Sequence, residues 1–314
     1  MRTLPPEISP ADLDRLRDEP DRWLPAVAAI ARDLAPGAAV APAGGGTSLV
    51  ALVGDDLVLK VCPPRLHESA AFERAVLERL EGRLSVATPR VVAAGERDGW
   101  AYLLATRLRG TPLEDAWSGA GEPARRGLLR AIGALIAEVH AIAPGPLADL
   151  PPAWALLLDA QRAGAPGRHA RTGLPAHLLA GLDAYLDAGD VFAWARAAPR
   201  VILTGEYTPE NLLVRAGGGG GLALAGMFDF GDGLVGPAEY DLLGPSCFLG
   251  GGDPDRIAAL FDGAGRPAPD ARARGRLMRL LLPHRFSYLR AQVRIDGWER
   301  ARDLDALAAI IWPS

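Results

Sequence analysis

Residues 201–233 read VILTGEYTPENLLVRAGGGGGLALAGMFDFGDG. Apolar runs broken by turn residues predict short strands around 201–203 and 211–215 and a third near 222–228. The five glycines at 217–221 read as a hairpin tip, because glycine tolerates any turn geometry. Two loops flank these strands, one ending in Asn211 and one holding Asp229. A lone Asn or Asp in a loop is ordinary turn chemistry. Together, PENLLV and FDFGDG make a pair of hard oxygen donors, which suits magnesium where phosphates supply the remaining ligands. The stretch reads as a catalytic loop followed by a metal-binding loop.

A phosphate site also needs a cation. Lysine and arginine total 34, and Lys60 is the one lysine in the sequence. It sits in DLVLKVC, an alternating strand, where a compact ammonium reaches phosphates that a bulkier guanidinium fork would crowd. The surrounding residues 38–106 read as a small antiparallel sheet with turns at Gly44-Gly45-Gly46, Gly54-Asp55-Asp56 and Asp98-Gly99. HESAAFERAVLERL inserts a helix, with Phe72, Val76 and Leu80 at helical spacing. On it Glu73, with Glu68 as second candidate, is placed to fix the lysine by an ion pair; a solvated helix face is the plainer reading of both. Gly45 and Gly46 fit close backbone approach to an anion, and equally a plain hairpin turn, since they do not match G-x-G-x-x-G.

Residues 9–34 read as a helix, with Ser9 and Pro10 as cap and first turn and Trp23, Val27, Ile30 and Leu34 on one face. RLRGTPLEDA reads as a linker. From residue 122 the pattern is mainly helical, with Leu128, Leu129, Ile132, Leu135, Ile136 and Val139 on one broad face. APGRHARTG reads as an exposed loop, 173–189 as helical, and the chain from 237 onward as helical. The expected division is an N-terminal lobe over 1–106 (a helical extension to 37, then sheet and helix), a hinge over 107–121 and a helical lobe over 122–314.

Bulk composition excludes several classes. Hydrophobic residues make up 49% and charged ones 23%, ordinary for a folded globular chain. A net charge of −4 argues against a nucleic-acid binder. The N-terminus carries acids and prolines where a signal peptide needs an apolar run, and later apolar stretches are too short to span a bilayer. Cys62 and Cys247 lack metal-ligand spacing and read as buried thiols. The expectation is a cytoplasmic monomer or homodimer with no membrane or nucleic-acid partner.

A sheet lobe with a strand lysine, a helix glutamate, a hinge, then a helical lobe with an asparagine loop and Asp-Phe-Gly is the order of kinases. VILTGEYTPENLLV with GMFDFGDGLVGPAEYDLL, the hinge YLLATRLRGTPLEDA and the helix end LIAEVHAI resemble the aminoglycoside phosphotransferase family over roughly residues 40–250. The resemblance implies an α+β, two-lobed protein-kinase-like fold with a small antiparallel-sheet lobe and a mainly helical lobe. It implies ATP (GTP also possible) bound between the lobes and transfer of its γ-phosphate to a small hydroxylated acceptor. Carried over by motif, Lys60 contacts phosphate, Asn211 and Asp229 hold magnesium, and the 104–108 backbone, at Ala105, Thr106 and Leu108, meets the adenine. His140 and Asp241 match positions read as structural.

The family's His-Gly-Asp is here Thr204-Gly205-Glu206. Glutamate keeps the charge of the catalytic base but reaches about 1.5 Å further, and a displacement of about 1 Å costs on the order of a hundredfold. The smaller Thr204 lets the loop retreat, so the pair reads as a retuned site in which Glu206 takes the acceptor proton. Glu210 ranks behind it, and Asp232 is a further candidate metal contact or a surface turn. The alternative is a nucleotide-binding module without transfer. Residues 264–302 carry ten arginines, from Arg266 to Arg302, against few carboxylates, which argues against a polycationic acceptor. Trp154, Phe286, Tyr288, Trp298 and Trp312 read as core, or as surfaces on which an acceptor packs.

Overall fold

The computed structural model describes residues 4–44, 46–205, 207–218 and 221–313. These divide into two compact units. The first holds the described residues up to Arg83, Ala87–Arg109 and Phe228–Gly231; the second holds Leu84–Val86, Gly110–Met227 and the described residues from Asp232 onward.

The first unit begins with α1 (Pro10–Arg17) and α2 (Pro20–Leu34). The sequence pattern predicts one helix here, and the structure breaks it at Asp18 and Glu19. A continuous helix would drive the Pro20 ring against the Leu16 carbonyl, and the residue before a proline is pushed from helical geometry. Glu19 accordingly sits at φ −119°, ψ 71°. The Ser9 hydroxyl caps α1 by accepting from the Asp12 amide at 3.1 Å. Strands β1 (Val40–Ala43), β2 (Leu49–Val53), β3 (Leu57–Cys62), β4 (Val91–Arg97) and β5 (Trp100–Thr106) form an antiparallel sheet in the order β1-β2-β3-β5-β4. The β4–β5 hairpin turns where the sequence predicts, at Asp98 (φ 52°) and Gly99 (φ 78°), the positive pair a tight two-residue turn needs.

One sheet face, through Leu49, Ala51, Leu59, Val61 and Leu104, makes a single core with Trp23, Val27 and Ile30 of α2. Alternation along β3 then turns Lys60 to the opposite face. After β3 comes α3 (His67–Leu80), which buries Phe72, Val76, Leu77 and Leu80.

In the second unit the stretch read as a linker is partly ordered, as β6 (Thr111–Pro112) and α4 (Leu113–Trp117). The long α5 (Glu122–Ala141) buries all six residues of its predicted face. Next come α6 (Trp154–Arg171), α7 (Ala176–Ala180), α8 (Leu182–Asp187) and α9 (Val191–Ala197). Most of the expected exposed loop at 165–173 is instead the last turns of α6, which ends at Arg171. Pro166 interrupts its hydrogen bonding, yet Ala165 and His169 are wholly buried, and His169 Nε2 lies 2.8 Å from the Leu282 carbonyl. Burial outweighs the local cost of the proline.

Strands β7 (Arg200–Leu203), β8 (Leu212–Ala216) and β9 (Leu222–Met227) fall close to their predicted places. Strand β7 pairs with a strand the sequence reading did not include, β10 (Leu234–Pro237), while β8 lies between β6 and β9. The Gly217 amide donates to the Gly221 carbonyl across the β8–β9 tip; Gly219 and Gly220 lie outside the described residues. The rest is helical: α10 (Leu243–Leu249), α11 (Pro254–Gly263), α12 (Ala271–Leu281), α13 (Leu289–Gln292) and α14 (Leu304–Ile311). No helix among the described residues is long and apolar enough to cross a membrane.

Candidate active site

In the first unit three sequence-predicted residues meet. Lys60 Nζ lies 2.7 Å from Glu73 Oε2 and 2.8 Å from Asp229 Oδ1. Strand β3 supplies the lysine, α3 the glutamate, and the Phe228–Gly231 segment the aspartate. Glu73 also accepts from the Phe230 amide through Oε1, at 3.3 Å, and Phe230 is itself fully buried. One glutamate therefore ties the lysine and the aspartate loop together, while Glu68, the second candidate, is exposed. Asp229 stands at φ 64°, a conformation L-residues adopt at a cost and which clusters at functional loops. The Gly231 backbone runs beside the pair: a Cβ built on it would lie 3.4 Å from Glu73 Oε2 and 3.5 Å from Lys60 Nζ, ordinary contact distances.

The electrostatics follow from burial. The Lys60 side chain is 17% exposed, Glu73 7% and Asp229 33%. Burial works against the ammonium, but Glu73 and Asp229 outweigh it and hold Lys60 above the ordinary lysine range, so it stays charged. Burial pushes the Glu73 carboxyl upward against the pull of Lys60. Two residues along β3, burial also raises the Cys62 thiol, whose Sγ lies 3.2 Å from the Ser48 hydroxyl.

The other predicted nucleotide residues of this unit are less engaged. Gly46 (φ 80°) has an exposed turn position, and its carbonyl accepts from Arg17 at 2.5 Å; Gly45 lies outside the described residues. At the end of β5, Ala105 is buried, and the Thr106 amide donates to the Arg90 carbonyl at 3.0 Å. Two residues on, the Leu108 backbone has no hydrogen-bond partner among the described residues.

The second unit holds the loop between β7 and β8. Asn211 ends a one-turn helix, Pro209–Asn211, with its amide donating to the Thr208 carbonyl at 3.1 Å; the residue is 8% exposed. The loop hangs from Asp241, whose Oδ2 accepts from the Thr204 amide at 3.4 Å and lies 3.0 Å from His140 Nε2. His140 and Asp241 thus position the loop from behind. Gly205 (φ 86°) packs so closely on the following turn that a Cβ would fall 2.2 Å from the Asp232 carbonyl oxygen. Tyr207 is buried to 1% exposure, and burial, reinforced by Asp241, holds its phenol protonated. Glu206 lies outside the described residues, and Glu210 is exposed. Sequence reasoning assigned nothing to Tyr207 or to the Gly205–Asp232 contact. The positive φ at Gly205 is legible only as a glycine between two polar residues.

A family model described as "Phosphotransferase enzyme family" matches residues 39–278. No curated protein is similar enough to count as a relative. Solved structures are similar in fold. The GDP and kanamycin complex of APH(2")-IIia superposes with a TM-score of 0.65 at 19% identity, covering 90% of this chain and 95% of that one. Aminoglycoside phosphotransferase APH(3'')-Id from Streptomyces rimosus, in complex with ADP and streptomycin, gives 0.58 at 19%, covering 83% and 98%. Macrolide 2'-phosphotransferase MphH from Brachybacterium faecium gives 0.52 at 21%, covering 96% and 99%. The fold is therefore the α+β kinase-like one expected from the motif order, and the chain belongs to the phosphotransferase enzyme family.

Proposed function

We propose that the chain is an ATP- and magnesium-dependent phosphotransferase that moves the γ-phosphate to a hydroxyl of a small molecule. One observation carries the reading: the only lysine of the sequence is buried between two carboxylates, one on a helix and one on a strained loop. A chain that uses arginine everywhere else keeps an ammonium here. Family membership and the ATP, ADP and GDP complexes of similar folds support the same reading.

In this reading Lys60 contacts the α- and β-phosphates, and Glu73 fixes its position. The Leu108 backbone, unpartnered among the described residues, meets the adenine edge with Ala105 and Thr106, and Gly45 and Gly46 approach the phosphates. Asn211 and the partly exposed Asp229 carboxylate offer hard oxygen donors of the kind magnesium takes beside phosphate. A magnesium ion held by Asn211 and Asp229 would supply positive charge to offset that of the phosphates. Glu206 orients the acceptor hydroxyl and takes its proton late. The bond from the acceptor oxygen to the γ-phosphorus forms, the bond to the β-γ bridging oxygen breaks, and ADP leaves. The site works by placement and charge rather than by covalent chemistry.

Titration calorimetry with ATP, with and without magnesium, tests the reading. Binding that requires magnesium and is lost in Asp229→Ala and Asn211→Ala supports it. Magnesium-independent binding, or none, overturns the metal assignment.

A further inference from the structure

The proposed function leaves the acceptor open, and the second unit carries a feature that function does not use. Of the arginines between 264 and 302, most are engaged in structure. Arg266 pairs with Glu239 and Arg294 with Glu114, Arg276 and Arg279 lie over the Trp194 and Tyr185 rings, and Arg290 donates to the Gly173 carbonyl. Arg285 also lies over a ring, that of Phe286, 5.8 Å from its centroid, but differs in its polar contacts. Among the described residues its Nε and Nη2 are buried and have no hydrogen-bond partner, and its one ion pair is to Asp232, at a long 3.6 Å.

A second guanidinium reaches the same segment. Arg168 of α6 donates to the Leu282 carbonyl, in the stretch that leads to Arg285, at 3.2 Å, and to Gln161; among the described residues no carboxylate pairs with it and its Nε is buried without a partner. Both guanidiniums act electrostatically on the Tyr240 phenol and the His284 imidazole. Those two rings are stacked 4.2 Å apart. Burial keeps the phenol protonated, with its pKa raised to about 12, and drives the imidazole down to about 3, so neither offers a negative charge at neutral pH. Two cations thus face a neutral wall with one distant carboxylate. Desolvated guanidinium N–H groups without acceptors cost free energy and call for an anion.

The surroundings match a ligand surface. Among the described residues, Phe286 and Tyr288, on either side of Ser287, are two of the four large hydrophobic side chains that stay exposed, at 36% and 50%. Arg285 also touches the catalytic loop's own support, because Asp232 is the residue whose carbonyl lies against Gly205, next to Glu206.

We infer that Arg285 and Arg168 form an anion subsite for the acceptor, so that the molecule phosphorylated carries a carboxylate, sulfate or phosphate group on a body that packs against Phe286 and Tyr288. The inference rests on the phosphotransferase reading for the word acceptor; the anion subsite itself does not depend on it. A planar guanidinium holds an oxyanion by two parallel hydrogen bonds, which a lysine cannot reproduce.

The test is thermal stabilisation of the full chain by sodium sulfate, compared with sodium chloride at matched ionic strength. Wild type is expected to respond to sulfate with half-saturation near ~10 mM, and Arg285→Gln and Arg168→Gln to need about tenfold more, the loss of roughly one charge-assisted contact. Arg285→Lys, which keeps the charge, falls between them and serves if a glutamine variant does not fold. Lys60→Gln is expected to lose Mg-ATP binding and keep the sulfate response, which separates this subsite from the nucleotide site. If sulfate stabilises wild type no more than chloride, or all arginine variants respond as wild type does, the subsite is refuted. If the response disappears in Lys60→Gln but not in Arg285→Gln, the anion sits on Lys60 and the subsite is refuted as well. Absence of Mg-ATP binding in wild type overturns the phosphotransferase reading and leaves the sulfate result to be judged by itself.

Discussion

Replacing Glu73 by glutamine keeps the shape of the side chain and removes its charge. Two contacts are at stake, the 2.7 Å pair with Lys60 and the 3.3 Å bond from the Phe230 amide. Glutamine can keep the second through its own carbonyl. A hydrogen bond to a charged group is worth about 1.5–3 kcal/mol. Breaking a buried ion pair costs about 3–5 kcal/mol when it strands the remaining charge, but Asp229, 2.8 Å away, still neutralises Lys60. Glutamine also avoids burying a carboxylate whose pKa burial already pushes upward. These terms put the loss of folding stability near 2 kcal/mol. The functional effect is expected to be larger in kind. Without Glu73, Lys60 leans on Asp229, the proposed metal ligand, so Mg-ATP affinity falls about tenfold or more. Urea unfolding gives the first quantity and calorimetry the second. A variant that unfolds at the wild-type midpoint and binds Mg-ATP equally well would refute the role assigned to Glu73.

Two further substitutions probe the second unit. Gly205→Ala meets both a positive φ of 86° and a carbonyl oxygen 2.2 Å from the new Cβ, whereas Gly189 has the same φ (87°) with nothing within 4 Å. Gly189→Ala should cost about 1 kcal/mol for strain, and Gly205→Ala distinctly more, together with a large loss of turnover; equal costs in urea unfolding would show that the close approach does not matter. His284 is held neutral, with its pKa lowered from 6.5 to about 3 by burial and then by Arg285 and Arg168, and its Nδ1 accepts from the Phe286 amide. The unfolded chain therefore takes up a proton that the folded one refuses. Stability is full above pH 6.5 and lost as pH falls towards 3, at about 1.4 kcal/mol per pH unit. Between pH 7 and 5 His284→Phe, which keeps the ring stack on Tyr240, should lose about 2 kcal/mol less than wild type; identical pH dependence in the two would contradict the neutral assignment.

The sequence made the motif-bearing parts readable because local rules and tertiary placement agree there. The alternation of β3 places Lys60 opposite the Leu59 and Val61 core, and the helical spacing of α3 puts Glu73 among its buried residues. The second unit was less legible. Pro166 and the polar run around it look like a loop by every local rule, and the contacts that oppose this are tertiary: Ala165 and His169 are buried, and His169 and Arg168 both reach the Leu282 carbonyl. Strand β10 is four residues long and exists through its pairing with β7, a partner thirty-odd positions away that no local pattern announces. The same holds for Arg285. It looks like one more arginine on a basic segment until its buried nitrogens and its neighbours are placed in space.

Whether Glu206 serves as the base is settled most directly by ADP formation from Mg-ATP in the presence of hydroxylated acceptors, with wild type and Glu206→Ala measured side by side along with their Mg-ATP affinities. Loss of a positioned base is worth about 10²–10⁴ in rate. The expected result is turnover in wild type, a fall of that size in Glu206→Ala, and Mg-ATP bound equally by both. Equal rates in the two proteins would contradict the assignment of Glu206, and Mg-ATP binding without turnover in either would contradict phosphotransfer itself.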